Sequence, residues 1–117
     1  MAEDERGVGS ERTAGDVVLI RVRGSLDGWS GSGGLSAALT GAVADGGVRT
    51  VVDLSGVTFA DSAALHSLLG GQREHVTAGV PLVLAGPLHS GVRRLFEVTG
   101  TAGAFRFADD VESALQC

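Results

Sequence analysis

Val51-Val52-Asp53-Leu54-Ser55-Gly56-Val57-Thr58-Phe59-Ala60-Asp61-Ser62-Ala63-Ala64-Leu65 is the stretch on which the reading of this chain turns. Its first part, from Val48 to Leu54, is short, β-branched and largely apolar, which fits a buried central strand better than a helix fragment. Ser55 to Ala60 then crosses the end of a sheet, and Asp61-Ser62 opens a helix. In that helix Ala64, Leu65, Leu68, Leu69 and Val76 are expected to face the sheet, with Gln72, Arg73, Glu74 and His75 exposed. Gly70-Gly71 weakens its middle, and Thr77-Ala78-Gly79 ends it.

The same grammar extends in both directions. Upstream, Val17 to Arg23 passes from an apolar run into alternation with arginine, a strand with one more exposed face, and Gly24-Ser25-Leu26-Asp27 closes it. Gly28 to Gly34 is dense in turn formers and reads as a loop, because each interior glycine costs a helix about 1 kcal/mol relative to alanine. Leu35, Ala38, Leu39, Ala42 and Val43 then recur at helical spacing over about 10 residues, stopped by Asp45-Gly46-Gly47. Downstream, Val80 to Ala85 is a third core strand and Gly86-Pro87 a turn. Val92, Leu95, Phe96 and Val98 mark a helix ending at Thr99-Gly100, followed by a short strand at Ala104 to Phe107 and a last helix from Asp109 to Leu115. Strands alternating with helices predict a single α/β domain: a small mixed sheet with largely parallel inner strands and helices packed against it. Residues 1 to 15 are polar and acidic without apolar period and read as a mobile tail brushing the sheet edge, leaving 16–117 as the domain.

Composition narrows the function classes. With 117 residues, 44% hydrophobic and 20% charged, the chain has the balance of a globular protein with one core. Its apolar runs are far shorter than the roughly 20 residues that cross a bilayer as a helix, so no membrane span is expected. The acidic N-terminus lacks the pattern of a secretory signal, which leaves a cytoplasmic location. Cys117 is the only cysteine, so one chain can form neither an internal disulfide nor a cysteine metal site. A net charge of −5 argues against direct nucleic-acid binding. His66, His75 and His89 show no metal-binding spacing, and neither metal nor cofactor is expected.

Asp61-Ser62 is the most informative pair, standing at a helix N-terminus beyond the carboxyl end of a central strand, where sites of α/β folds gather. Backbone N–H groups and the positive end of the helix dipole there can stabilise a phosphate. Equally, Asp61 or Ser62 can serve only as the N-cap. Ser62 and His66, four apart with Asp61 adjacent, suggest a hydrolytic set, but Asp61 projects to the wrong side to orient the histidine and no nucleophile elbow is present. No catalytic residue is assigned and the domain is read as non-enzymatic. The glycine-rich loop lacks the endings of a phosphate cradle. Trp29 within it is either a partner anchor or buried against the sheet. Arg93-Arg94 reads as a solvated helix face.

The run from Val51 to Leu65 resembles the signature of STAS domains, the sulphate transporter and anti-sigma factor antagonist family. Gly24-Ser25-Leu26-Asp27 is similar to the family's Gly-x-Leu-Asp motif, and Val92 to Gly100 is similar to its penultimate helix. The resemblance implies an anti-sigma factor antagonist that binds an anti-sigma factor serine kinase, is switched off by phosphorylation of Ser62, and is reset by a serine phosphatase. It implies partner contacts at Asp27, Asp61, Ser62, Ala63 and Ala64, to which Trp29 is added as an anchor. Ala64 stands where many members have glycine, which adds a methyl group. Two other functions remain open: a constitutive STAS scaffold that binds its partner without phosphorylation, and a sensor of small anions using the 28–34 loop and the helix start.

Overall fold

The apolar runs become the middle of a five-stranded sheet whose strands lie side by side in sequence order, β1-β2-β3-β4-β5. The computed structural model describes residues 7–13, 15–26 and 28–116, with the backbone path alone for 7 and 28–32. The strands are β1 (Gly7–Arg12), β2 (Val17–Leu26), β3 (Arg49–Ala60), β4 (Leu82–Ala85) and β5 (Arg106–Ala108). β1 pairs antiparallel with β2, and every later pair is parallel. Helices α1 (Gly28–Ala44), α2 (Ser62–Ala78) and α3 (Ser90–Thr99) make the parallel crossovers, and α4 (Val111–Leu115) closes the chain. The α/β reading and the mixed, mostly parallel sheet are thus as expected.

Crossovers of one hand that always step in the same direction deposit their helices on the same face. Accordingly Val18, Ile20, Val22, Val52, Leu54, Leu82 and Leu84 share a main core with Leu35 and Leu39 of α1, Leu65 and Leu68 of α2, and Val92 and Phe96 of α3. The alternate residues Val17, Leu19, Val51, Val83 and Ala85 face the other way and meet Ala114 of α4. Asp110 caps that short helix through the Ser113 N–H at 2.8 Å, and these Ser113 bonds hold its carboxyl below the ordinary range. No helix among the described residues is long and apolar enough to cross a membrane.

Four expectations are corrected. Residues 7–12, read as part of a mobile tail, form β1, registered from Gly7 opposite Arg23 to Arg12 opposite Val18. A polar, glycine-containing segment qualifies as an edge strand because the backbone ladder needs no apolar side chains, and Val8 alone reaches the main core. Arg12 pins the end of β1 through the Asp45 carbonyl at 2.8 Å and the carboxylates of Asp16 and Asp45. Residues 1–6 lie outside the described residues.

The second correction concerns 28–34, read as a loop. These residues are the first turns of α1, which runs to 17 residues. Tertiary packing overrides the weak glycine propensity here, with Leu35 and Leu39 of the same helix fully buried. Third, His75 is buried and Val76 is 69% exposed, the reverse of the expected facing. His75 Nδ1 lies 2.7 Å from the Gly71 carbonyl oxygen, which can only accept, so this nitrogen donates; Nε2 lies 2.8 Å from the Thr50 hydroxyl. A histidine with both ring nitrogens partnered is buried at little penalty. Fourth, Gly71 does more than weaken α2: a Cβ there would lie 2.5 Å from Leu39 Cδ1, so the bare backbone sets how closely α1 and α2 approach.

Candidate functional site

The carboxyl ends of β2 and β3 carry the predicted site. Leu26 and Ala60 are partners in the ladder, and the Asp61 N–H extends it by donating to the Leu26 carbonyl at 3.1 Å. The chain leaves this tied pair on both sides into helices, α1 from Gly28 and α2 from Ser62. Two helix N-termini, each carrying partial positive charge and orphan N–H groups, therefore start from adjacent strands at one rim.

β3 reaches the rim irregularly. Arg21 pairs with Asp53 but Arg23 with Gly56, and Gly24 pairs with Val57 but Ser25 with Phe59, so β3 holds an extra residue at each of two places. Bulges of this kind turn the following side chains relative to strict alternation. At the first, a Cβ on Gly56 would lie 2.9 Å from Arg23 Cγ and 3.2 Å from the Val22 carbonyl oxygen, so glycine is required by close approach. Asp53 is held there by the Ser55 hydroxyl and N–H at 2.7 and 3.0 Å, and by Arg21 at 3.6 Å. The second bulge separates Val57, buried in the main core, from Phe59, which is 52% exposed. Sequence reasoning did not single out Phe59, because it read 55–60 as a crossing over the end of the sheet, whereas β3 continues to Ala60.

At the start of α2 the geometry shows which of the two neighbours is the cap. Asp61 is the N-cap: its backbone is extended, with φ −108° and ψ −174°, and its Oδ1 accepts from the Ala64 N–H at 3.0 Å. Its carbonyl accepts from the Leu65 N–H at 3.1 Å. Ser62 is the first helical residue and is exposed; among the described residues its hydroxyl has no hydrogen-bond partner. Ala63 is exposed beside it.

The structure brings Asp61, Ser62 and Ala63 together on the surface and turns Ala64 away. Ala64 is fully buried in the main core, so the methyl group that departs from the family pattern adds no bulk to the rim. Asp27 lies outside the described residues, as does the side chain of Trp29, whose backbone belongs to α1. The anion pocket that required a 28–34 loop loses that element, since the segment is helical. His66 is exposed one turn after Ser62; among the described residues no hydrogen bond joins the two, and an Asp61 oxygen is engaged in capping.

A family model described as Mlab, STAS domain matches residues 10–109. Among solved structures, the crystal structure of an anti-sigma factor antagonist from Mycobacterium paratuberculosis is 25% identical, with a TM-score of 0.82 over 98% of this chain and 95% of that one. The anti-sigma factor antagonist SpoIIAA in its unphosphorylated form is 20% identical, with a TM-score of 0.72 over 94% of each chain. The Bacillus cell fate determinant SpoIIAA in the phosphorylated form is 22% identical, with a TM-score of 0.71 over 94% of this chain and 97% of that one. The SpoIIAA likenesses bear on the fold, which is preserved nearly end to end. The family match covers the end of β1, strands β2 to β5, the three crossover helices and the rim with Asp61-Ser62, and the chain belongs to the STAS domain family.

Proposed function

We propose that this domain is an anti-sigma factor antagonist whose docking surface is the rim around Asp61-Ser62 and whose off-switch is phosphorylation of Ser62. The partner is an anti-sigma factor that acts as a serine kinase, and a serine phosphatase resets the switch. By sequestering the anti-sigma factor, the unmodified domain frees a sigma factor and so regulates transcription in the cytoplasm of a bacterium. The observation that carries this reading is the division of labour at the start of α2: Asp61 closes the helix, leaving the exposed Ser62 hydroxyl with no structural bond among the described residues. The solved relative from Mycobacterium paratuberculosis, described as an anti-sigma factor antagonist, adds support.

Electrostatics explain how such a switch works without refolding. A phosphoryl group adds about −1.5 to −2 charge units at neutral pH. On Ser62 it sits at the positive end of α2, next to free N–H groups, so the domain tolerates it. The partner is docked on a neutral hydroxyl beside the exposed Ala63, and there the new charge adds to that of Asp61 and has to be desolvated on docking.

The test is incubation with the cognate kinase and ATP. Phosphate is expected on Ser62 and is abolished in Ser62→Ala, which keeps partner binding, whereas Ser62→Asp weakens binding at least about tenfold, or about 1.4 kcal/mol. Absence of phosphate on Ser62, while another substrate of the same kinase is modified, overturns the switch. If Ser62→Ala then behaves as wild type in cells, the domain is a constitutive scaffold.

A further inference from the structure

Beyond the rim at β3, the same end of the sheet holds a cleft of about 520 Å³, whose lining includes Leu88, Arg93, Phe96, Glu97, Phe107 and Asp109. It opens where β4 and β5 end, against α3, the position at which open parallel sheets place their ligands. Its volume falls within the range of about 300–1,000 Å³ usual for small-molecule sites.

The floor is rigid and aromatic. Phe96 meets Phe107 edge to face at 5.2 Å and 81°, and Phe105 at 5.6 Å and 75°, which fixes the ring orientations. Phe96 is buried, while Phe107 remains 37% exposed and presents ring surface to the opening. Arg12 and Arg21 are bound to carboxylates, whereas among the described residues Arg93, Glu97 and Asp109 have no ion-pair partner. Arg93 and Glu97 stand one turn apart on α3 and both line the cleft, yet they do not pair with each other. The cleft therefore offers a free guanidinium, two free carboxylates and an apolar base.

From this juxtaposition we propose that the cleft binds a small zwitterionic amphiphile, an amino acid with a large apolar side chain. The side chain lies on Phe107, Phe96 and Leu88; the carboxylate takes the Arg93 guanidinium; the ammonium takes Glu97 and Asp109. Each ligand charge meets its opposite, so neither class of protein charge is left to repel the ligand. A simple anion faces two carboxylates, and a simple cation faces Arg93.

Amide chemical shifts of the whole chain, titrated with three probes, test the assignment. L-phenylalanine is expected to shift residues 86–88, 93–97 and 107–109. Phenethylamine, without the carboxylate, and 3-phenylpropionate, without the ammonium, each bind at least about tenfold more weakly. Arg93→Gln and Glu97→Gln alter exposed side chains, so dispersed spectra report intact folds. The first substitution is expected to remove the preference for L-phenylalanine over phenethylamine, the second its preference over 3-phenylpropionate. No shift with L-phenylalanine at millimolar concentration overturns the proposal. So does equal binding of all three probes, which marks an apolar groove indifferent to charge, or tighter binding of either truncated probe. None of these results bears on Ser62, so the cleft and the switch stand or fall separately.

Discussion

At its first turn α2 offers Ser62 and Ala63 to solvent and closes its backbone with the Asp61 carboxylate. Further along, the same helix brings Gly71 against Leu39 and buries His75 between the Gly71 carbonyl and the Thr50 hydroxyl. Both regions consist of small and polar residues, the kinds that tempt a functional assignment. What separates them is where the polar atoms find partners. His75 is satisfied inside and fastens α2 to β3, whereas the Ser62 hydroxyl faces water with its structural duty taken by its neighbour. A polar residue relieved of structural bonds is the better candidate for regulation.

That contrast can be broken by substitution, and the largest effect is expected at the buried end. His75→Ala opens a cavity and strands the Thr50 hydroxyl, for a loss of about 3 kcal/mol in urea unfolding. A loss smaller than that of an ordinary surface substitution would show that α2 is not fastened there. Asp61→Ala removes the cap and is expected to cost about 1 kcal/mol by the same measurement, while exposing the first N–H groups of α2 to solvent. Smallest of all, Ser62→Ala should stay within about 0.5 kcal/mol of wild type, as befits a side chain with no internal bond. If its midpoint falls as far as that of Asp61→Ala, Ser62 shares the cap and the division of labour at the rim is wrong.

Much of the architecture is legible in the sequence because strong local signals agree with the final packing. Val17 to Ile20, Val51 to Leu54 and Leu82 to Ala85 are short, largely apolar runs, the last bounded by Pro81 and Gly86, and they become the inner strands. Gly79 and Gly100 end α2 and α3 in the left-handed conformation, with φ of 75° and 70°. The elements missed are those whose stability comes from elsewhere in the chain. β1 has one inward apolar side chain, Val8, and depends on its ladder with β2 and on Arg12 reaching Asp45. The first turns of α1 are glycine-rich and continuous with Leu35 and Leu39, whose burial is a tertiary event. His75 and Val76 exchange faces because the hydroxyl that receives the histidine comes from Thr50, 25 residues away. At the site, Asp61-Ser62 was readable as a junction. Which of the two caps was not, since aspartate and serine are both good N-caps and only geometry separates them.

The order of the sheet bears on how the domain comes into being. Because β1 to β5 lie in space as they lie in sequence, each strand joins the edge left by its predecessor, and none has to enter between two strands already paired. Such a chain can grow its sheet in the direction of its own synthesis, keeping its pairings as local as parallel strands allow. The rim with Asp61-Ser62 is framed as soon as β2, α1, β3 and the start of α2 have emerged, before the cleft exists. The aromatic cleft is completed only by β5 and the loop after it. The two surfaces of this small domain thus have a natural order of birth, with the Asp61-Ser62 rim first.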